Sequence, residues 1–222
     1  MSANSKLLII NNREFHYSEV ELYEGTKKIN TEIARENLKK FNSILEETEI
    51  KYGLYFGTLL GAIREKHFIE YDEDTDIFVL GEYKDSFMNL LFKFREVNLE
   101  LIRYKEHYLS LMSNNEYIDV YFFYERKRFF VKKRIHNNRD VINARYLDNL
   151  VKIDFLGMNI PVPNQSKKVL KILYGKNWRI PLENCKAQPN SFNAKLSVKL
   201  SFLRSLPFYT NMVKVYKSLF FK

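Results

Sequence analysis

The chain has 222 residues, 45% of them hydrophobic and one a cysteine, so it can fill a core of its own without a disulfide framework or a Cys-based zinc site. Its 36 basic and 27 acidic residues give a formal charge of +9, which invites a nucleic-acid reading. That charge is local, because no acid follows Glu183 whereas Lys186, Lys195, Lys199, Arg204, Lys214, Lys217 and Lys222 do, leaving 29 bases against 27 acids before them. A nucleic-acid partner is therefore disfavoured, since such binders spread positive charge over the folded surface.

Leu7 to Ile10 reads as a short buried strand. It is too short for a signal peptide or a membrane span, and no later segment approaches ~20 apolar residues, so the default expectation is the cytosol. Between Asn30 and Ile50, Ile33, Ala34, Leu38, Phe41, Ile44 and Leu45 recur at helical spacing, with Asn30 or Thr31 as N-cap. Tyr52 to Phe56 reads as a strand ended by Gly57, and Leu59 to Glu65 as a short helix. Asp76 to Leu80 is a strand that starts directly after an acidic cluster. Asp85 to Val97 has one apolar face, Phe87, Leu90, Leu91 and Phe94, and predicts a second helix.

After that helix the texture changes. Leu99 to Tyr104, Tyr108 to Met112, Tyr117 to Phe123 and Phe129 to Val131 are short aromatic and β-branched runs between turn-like residues, as antiparallel strands require. Val151 to Phe155 adds a strand, and Lys167 to Leu173 a helix ending at Gly175. No internal repeat or low-complexity linker occurs. The expectation is an α+β domain with a mixed or antiparallel sheet flanked by helices.

The informative stretch is Gly57-Thr58-Leu59-Leu60-Gly61-Ala62-Ile63-Arg64, followed by Tyr71-Asp72-Glu73-Asp74-Thr75-Asp76. Four carboxylates within five positions repel one another and are costly to pack without a counter-ion or water. On a strand Asp74 and Asp76 project to one side, about 7 Å apart, and could hold a hard divalent cation such as Mg²⁺ between them. An acidic loop capping a strand is the plainer explanation of an Asp-x-Asp pair taken alone. The apolar run Ile77 to Leu80 argues against it, because the acids then sit at the mouth of a buried strand. A third acid, Asp119, lies inside the apolar run Tyr117 to Phe122 and needs a partner there. It either pairs with a Lys or Arg or joins Asp74 and Asp76 around a metal.

These motifs resemble the LicD/fukutin-type family of the nucleotidyltransferase fold. The resemblance runs from about Glu36 to Pro181, and includes Ile160-Pro161-Val162-Pro163 and Leu173-Tyr174-Gly175-Lys176-Asn177-Trp178. Where that family usually has Pro-Trp-Asp-Asp-Asp, this chain has Glu70-Tyr71-Asp72-Glu73-Asp74, which keeps the acidic character and the two metal-spaced aspartates. The resemblance implies transfer of a phospho-alcohol, such as phosphocholine or ribitol phosphate, from a CDP-activated donor to a sugar hydroxyl, with release of CMP. It implies Mg²⁺ (Mn²⁺ as the alternative) on Asp74, Asp76 and Asp119, with Asp119 a ligand or the base that takes the acceptor's proton. Gly57 and Thr58 would approach a donor phosphate through backbone N–H groups and the hydroxyl, and Arg64 would pair with it or neutralise the acidic loop. A saccharide acceptor, lipid-linked in many relatives, is implied as well. Rival readings are a nucleotidyltransferase that adds a nucleotide to its acceptor, and a non-enzymatic metal- or phosphate-binding domain.

The chain is thus expected to divide into a catalytic domain over 1–183 and a basic segment over 184–222. From Phe208 onward, Phe208, Met212, Val215, Tyr216, Leu219 and Phe220 fall near one helical face with Lys214, Lys217 and Lys222 as the only charges. A helix of that kind either docks on the inner face of an anionic membrane or packs on the protein's own core. His16, His67, His107 and His136 show no ligand spacing, Gly53, Gly57 and Gly61 form no P-loop, and Arg126 to Arg128 with Lys132 to Arg134 read as solvated strand ends.

Overall fold

The computed structural model of the chain describes residues 5–22, 27–128, 131–137 and 140–181. The basic segment expected over 184–222 lies outside the described residues, and so do Phe129 and Phe130.

An antiparallel hairpin comes first, β1 (Ser5–Ile10) and β2 (Arg13–Ser18), turning through Asn11 and Asn12. Both have positive φ, which asparagine tolerates better than most side chains. α1 (Thr31–Glu46) is the helix that the apolar spacing predicts. The Asn30 side chain accepts from the Ile33 N–H and caps it, while Ala34, Leu38, Phe41 and Leu45 are buried. β3 (Tyr52–Leu54), α2 (Phe56–Arg64) and β4 (Thr75–Leu80) follow. Here the structure departs from expectation: α2 starts three residues early, so Gly57 lies inside the helix instead of ending a strand.

After a short 3₁₀ turn at Gly81–Tyr83 come α3 (Lys84–Asn89) and α4 (Leu91–Glu96), where the periodicity predicts one helix. They part at Leu90, whose N–H reaches back only three residues to the Phe87 carbonyl and tightens the turn. Phe87, Leu90, Leu91 and Phe94 nevertheless stay buried, so the apolar face was read correctly and its continuity was not. The second half holds β5 (Glu100–Tyr104), β6 (Tyr108–Ser113), β7 (Glu116–Arg128), β8 (Val131–His136) and β9 (Asp140–Asn143). Then come α5 (Ala144–Asp148), the hairpin β10 (Leu150–Phe155) and β11 (Met158–Pro163), and α6 (Ser166–Tyr174). Gly175 ends α6 with φ +85°, a conformation glycine adopts without penalty.

The main sheet runs β3-β4-β7-β6-β5, with β8 paired to β7 and β9 to β8. Among the described strands only β4 and β7 pair in parallel, so the sheet is mixed. All six residues of β4 are buried, as a central strand covered on both faces requires. α1 lies against β6 and β7, and α2 lies beside β4 and α6. Among the described residues no helix is long and apolar enough to cross a membrane.

One surface expectation is corrected. Arg134 is buried, and its guanidinium holds Glu82 through both terminal nitrogens (2.7 and 2.8 Å) and Asp148 through Nε (2.7 Å). It ties β8 to the turn after β4 and to α5, whereas Arg126, Lys127 and Lys132 are exposed as expected.

Candidate active site

Four strands build the site side by side. The parallel register of β4 and β7 puts Asp76 next to Asp119, β6 puts Ser110 opposite Asp119, and β5 puts Arg103 opposite Ser110. A polar row of Asp76, Asp119, Ser110 and Arg103 therefore crosses the sheet. Asp74 and Asp72 stand just before β4, at the end of the sheet where this row opens.

Asp76 is fixed by the start of α2. Its carboxylate accepts from the Gly57 N–H (2.9 Å) and from the Thr58 N–H, and its own N–H donates to Thr58 Oγ1 (2.8 Å). Its carbonyl accepts from the Tyr55 N–H (3.0 Å). The turn into the helix is forced: Phe56 has φ +37°, a left-handed conformation unfavourable for an aromatic residue. The result aims the first N–H groups of α2 at a carboxylate, the geometry in which a helix N-terminus favours negative charge. Gly57 also makes room for Asp72, because a Cβ there would come 2.2 Å from Asp72 Oδ2 and that carboxylate would have to shift.

The backbone groups and the hydroxyl that were expected to meet a donor phosphate are thus already used by the protein's own aspartates. Arg64 is not brought to the acids either. It ends α2, about 10 Å of helix rise from Gly57, and donates to Glu65 Oε1 (2.5 Å) and to the Trp178 carbonyl (3.2 Å).

Asp119 is saturated. Oδ1 accepts from Arg103 Nη2 (3.0 Å) and Ser110 Oγ (2.5 Å), and Oδ2 accepts from the same Nη2 (2.9 Å) and the Tyr121 hydroxyl (3.2 Å). Four contacts from three donor atoms engage both oxygens of the carboxylate. Asp119 is thus in an ion pair with Arg103, one of the two explanations the sequence leaves open for this acid.

Asp74 differs from both. It is half-buried and makes no hydrogen bond or ion pair to another described residue. Burial and the charges of Asp76, Asp119, Asp72 and Glu73 hold its carboxyl well above the usual range. Asp76 is raised for the same reasons, burial first and then Asp72 and Asp119, against the pull of the two N–H groups of α2. Asp72 is pushed up to about 6 by burial and by Glu73. Burial also raises Asp119, opposed by Arg103, Ser110 and Tyr121. The donor set is hard oxygen and its negative charge is under-compensated, which suits a divalent cation of the Mg²⁺ class. Among the described residues no three acidic or histidine side chains already converge on one metal position. Two carboxylates suffice for Mg²⁺, which usually completes its shell with water and substrate phosphates.

Sequence reasoning missed Arg103, Ser110 and Tyr121. Tyr121 stacks on Tyr108 (centroids 6.2 Å apart) and meets Phe56 edge-on (5.1 Å), so aromatic rings border the acids. The one available signal was an arginine inside the apolar strand Leu99 to Tyr104.

Residues 49–165 match the family described as LicD/FKTN/FKRP, nucleotidyltransferase domain, which is over half of the chain and spans α2, the acids and β7. The chain is similar to the ribitol-5-phosphate transferase FKTN of Mus musculus, at 25% identity over 162 residues, covering 68% of this chain and 34% of that protein. It is also similar to the lipopolysaccharide cholinephosphotransferase LicD of Haemophilus influenzae, at 38% identity over 56 residues, or 25% of this chain and 21% of that one. The chain therefore spans about a third or less of the length of these curated relatives. A lincomycin-bound lincosamide adenylyltransferase, LnuA, superposes over 62% of this chain and 85% of its own, with a TM-score of 0.44 and 12% identity. With the matched segment carrying the acids and the glycine turn that position one another here, the chain belongs to the LicD/FKTN/FKRP nucleotidyltransferase-domain family.

Proposed function

We propose that the chain is a Mg²⁺-dependent transferase that moves a phospho-alcohol from a CDP-activated donor to a hydroxyl of a saccharide acceptor, releasing CMP. The observation that carries this reading is the unpartnered Asp74 carboxylate beside Asp76 at the mouth of a buried strand. Family membership supports the transferase class, and the relatives' names, a ribitol-5-phosphate transferase and a cholinephosphotransferase, supply the two candidate alcohols.

In this reading Asp74 and Asp76 hold the ion, with Mn²⁺ as the alternative. When bound, it neutralises charge on the phosphate oxygens. Phosphoryl transfer asks little covalent work of a protein and depends on positioning and electrostatic stabilisation. The chain supplies positioning through the junction of β4 and α2, where Asp76 is held by the single stretch Tyr55 to Thr58 and Gly57 admits Asp72 at close range. Burial of the acids lowers the local dielectric and strengthens each charge interaction.

The test is incubation with CDP-ribitol or CDP-choline, Mg²⁺ and a saccharide panel, following CMP by chromatography. Asp74→Asn and Asp76→Asn should each lose over about a thousandfold in rate, the several kcal/mol that a metal clamp contributes. A variant that kept more than a tenth of wild-type turnover would overturn the metal assignment. A product that retained the nucleotide would overturn the donor chemistry in favour of nucleotidyl transfer.

A further inference from the structure

A CDP-activated donor carries a diphosphate, and this site faces it with Asp72, Glu73, Asp74, Asp76 and Asp119. Electrostatics alone would repel such a ligand, and a single divalent ion offsets two of those charges. Arg64 lies at the far end of α2, whereas Arg103 is in direct contact with one of the acids, Asp119.

Its position depends on a departure from strand regularity. β5 pairs with β6 as Glu100↔Met112 and Leu101↔Leu111, then shifts register to Arg103↔Ser110 and Tyr104↔Leu109. Without the shift, Ile102 would face Ser110 and Arg103 would face Leu109, which is fully buried. The extra residue turns Arg103 onto the face of Asp119 instead, and the Ile102 carbonyl is satisfied by the Val20 N–H (3.0 Å). Bulges that re-aim a side chain gather beside active sites, because they give up ladder bonding for placement.

The guanidinium is then locked from three sides. Nε donates to Ser110 Oγ (3.0 Å), Nη2 donates to both oxygens of Asp119, and the plane lies over the Tyr108 ring at 4.9 Å. Nη1 has no hydrogen-bond partner among the described residues, and the side chain stays 22% exposed. A rigidly held, partly exposed arginine beside the acids, with one terminal nitrogen uncommitted among the described residues, is a pre-organised anion receptor.

We propose that Arg103 binds a phosphate of the nucleoside diphosphate donor through Nη1, and that Asp119, Ser110 and Tyr121 are its positioning residues, with Asp119 outside the metal's ligand set. This rests on the donor class proposed above. It reassigns the third acid: Asp119 serves the anion by fixing a cation, and the metal is left to Asp74 and Asp76.

The test is a binding matrix on the full chain, with no turnover involved. Mn²⁺ binding is followed by electron paramagnetic resonance. CDP and inorganic pyrophosphate are titrated separately by calorimetry at saturating Mn²⁺. Arg103→Gln should keep Mn²⁺ affinity at or above wild type and weaken both anions at least tenfold, the scale of a charged hydrogen bond. Asp119→Asn should leave Mn²⁺ affinity within about threefold and weaken both anions, because the guanidinium loses its anchor. Should Arg103→Gln fail to fold, Arg103→Lys carries the test: it keeps a charge, loses the forked hold, and should weaken both anions at least threefold. Anion affinities unchanged in both Arg103 variants, or Mn²⁺ binding abolished in Asp119→Asn, overturn the proposal, as does wild-type protein that binds neither anion. If pyrophosphate shows the full pattern while CDP binds no better than pyrophosphate, the donor class fails and the role of Arg103 stands.

Discussion

Asp72 makes the charge imbalance of the site measurable without any substrate. Its carboxyl ionises near 3.8 in an unfolded chain and is pushed up to about 6 in the folded one by burial and by Glu73. Between those values the unfolded chain has released a proton that the folded chain keeps, so stability falls as pH rises. The cost is absent below pH 3.8 and complete above about pH 7. At ~1.4 kcal/mol per pH unit, a gap of about two units corresponds to about 3 kcal/mol, an upper figure because Asp72 is half-buried and partly screened by water. For a protein of this length that is roughly 6 to 12 °C in Tm. Asp72→Asn removes the titration while keeping the side-chain shape. In EDTA, the variant's Tm relative to wild type should rise by that amount between pH 4 and pH 7.5, read by scanning calorimetry. Mg²⁺ at pH 7.5 should then raise the wild type towards the variant. A Tm difference that stayed constant across the range would refute the reasoning, since Asp72 would then ionise alike in both states.

What could be read from the sequence was whatever local pattern determines. α1 emerges because six apolar residues and a capping asparagine lie within one short stretch, and β4 because an apolar run abuts an acidic cluster. Where distant residues decide, local pattern misleads. Phe56-Gly57-Thr58 resembles no helix start, since its cap is Asp76, 19 positions downstream of Gly57. Arg134 lies in a basic run that looks solvated, yet its partner Glu82 is 52 positions away. Arg103 was hidden by a regularity that fails: period-two alternation assigns it to the same side as buried Leu101, and only the bulge moves it to Asp119. The acids that bear the chemistry were thus legible and their partners were not, because a carboxylate cluster is contiguous in sequence while its neutralising cation comes from another strand.

Substitutions at three further positions test the architecture. Gly57→Ala must push Asp72 away from the start of α2, and should cost about 1–3 kcal/mol of stability by denaturant titration in spite of alanine's better helix propensity. Arg64→Ala should leave the Michaelis constant for a CDP-alcohol within twofold while lowering Tm, because its guanidinium holds Glu65 and the Trp178 carbonyl; a tenfold rise would place it at the donor after all. Arg134→Ala should be the most destabilising of the three. It strands the Asp148 carboxylate and frees Glu82, which is half in water and can rehydrate, so the loss should fall at about 3 kcal/mol, the low end for a broken buried pair. Arg134→Met fills the same space without the charge and should lose nearly as much, since the Asp148 carboxylate left without its partner, not the missing volume, dominates the cost. A loss below about 1 kcal/mol in both variants would mean that β8 is held to the body by its apolar contacts alone, with the ion pairs contributing as little as exposed ones do.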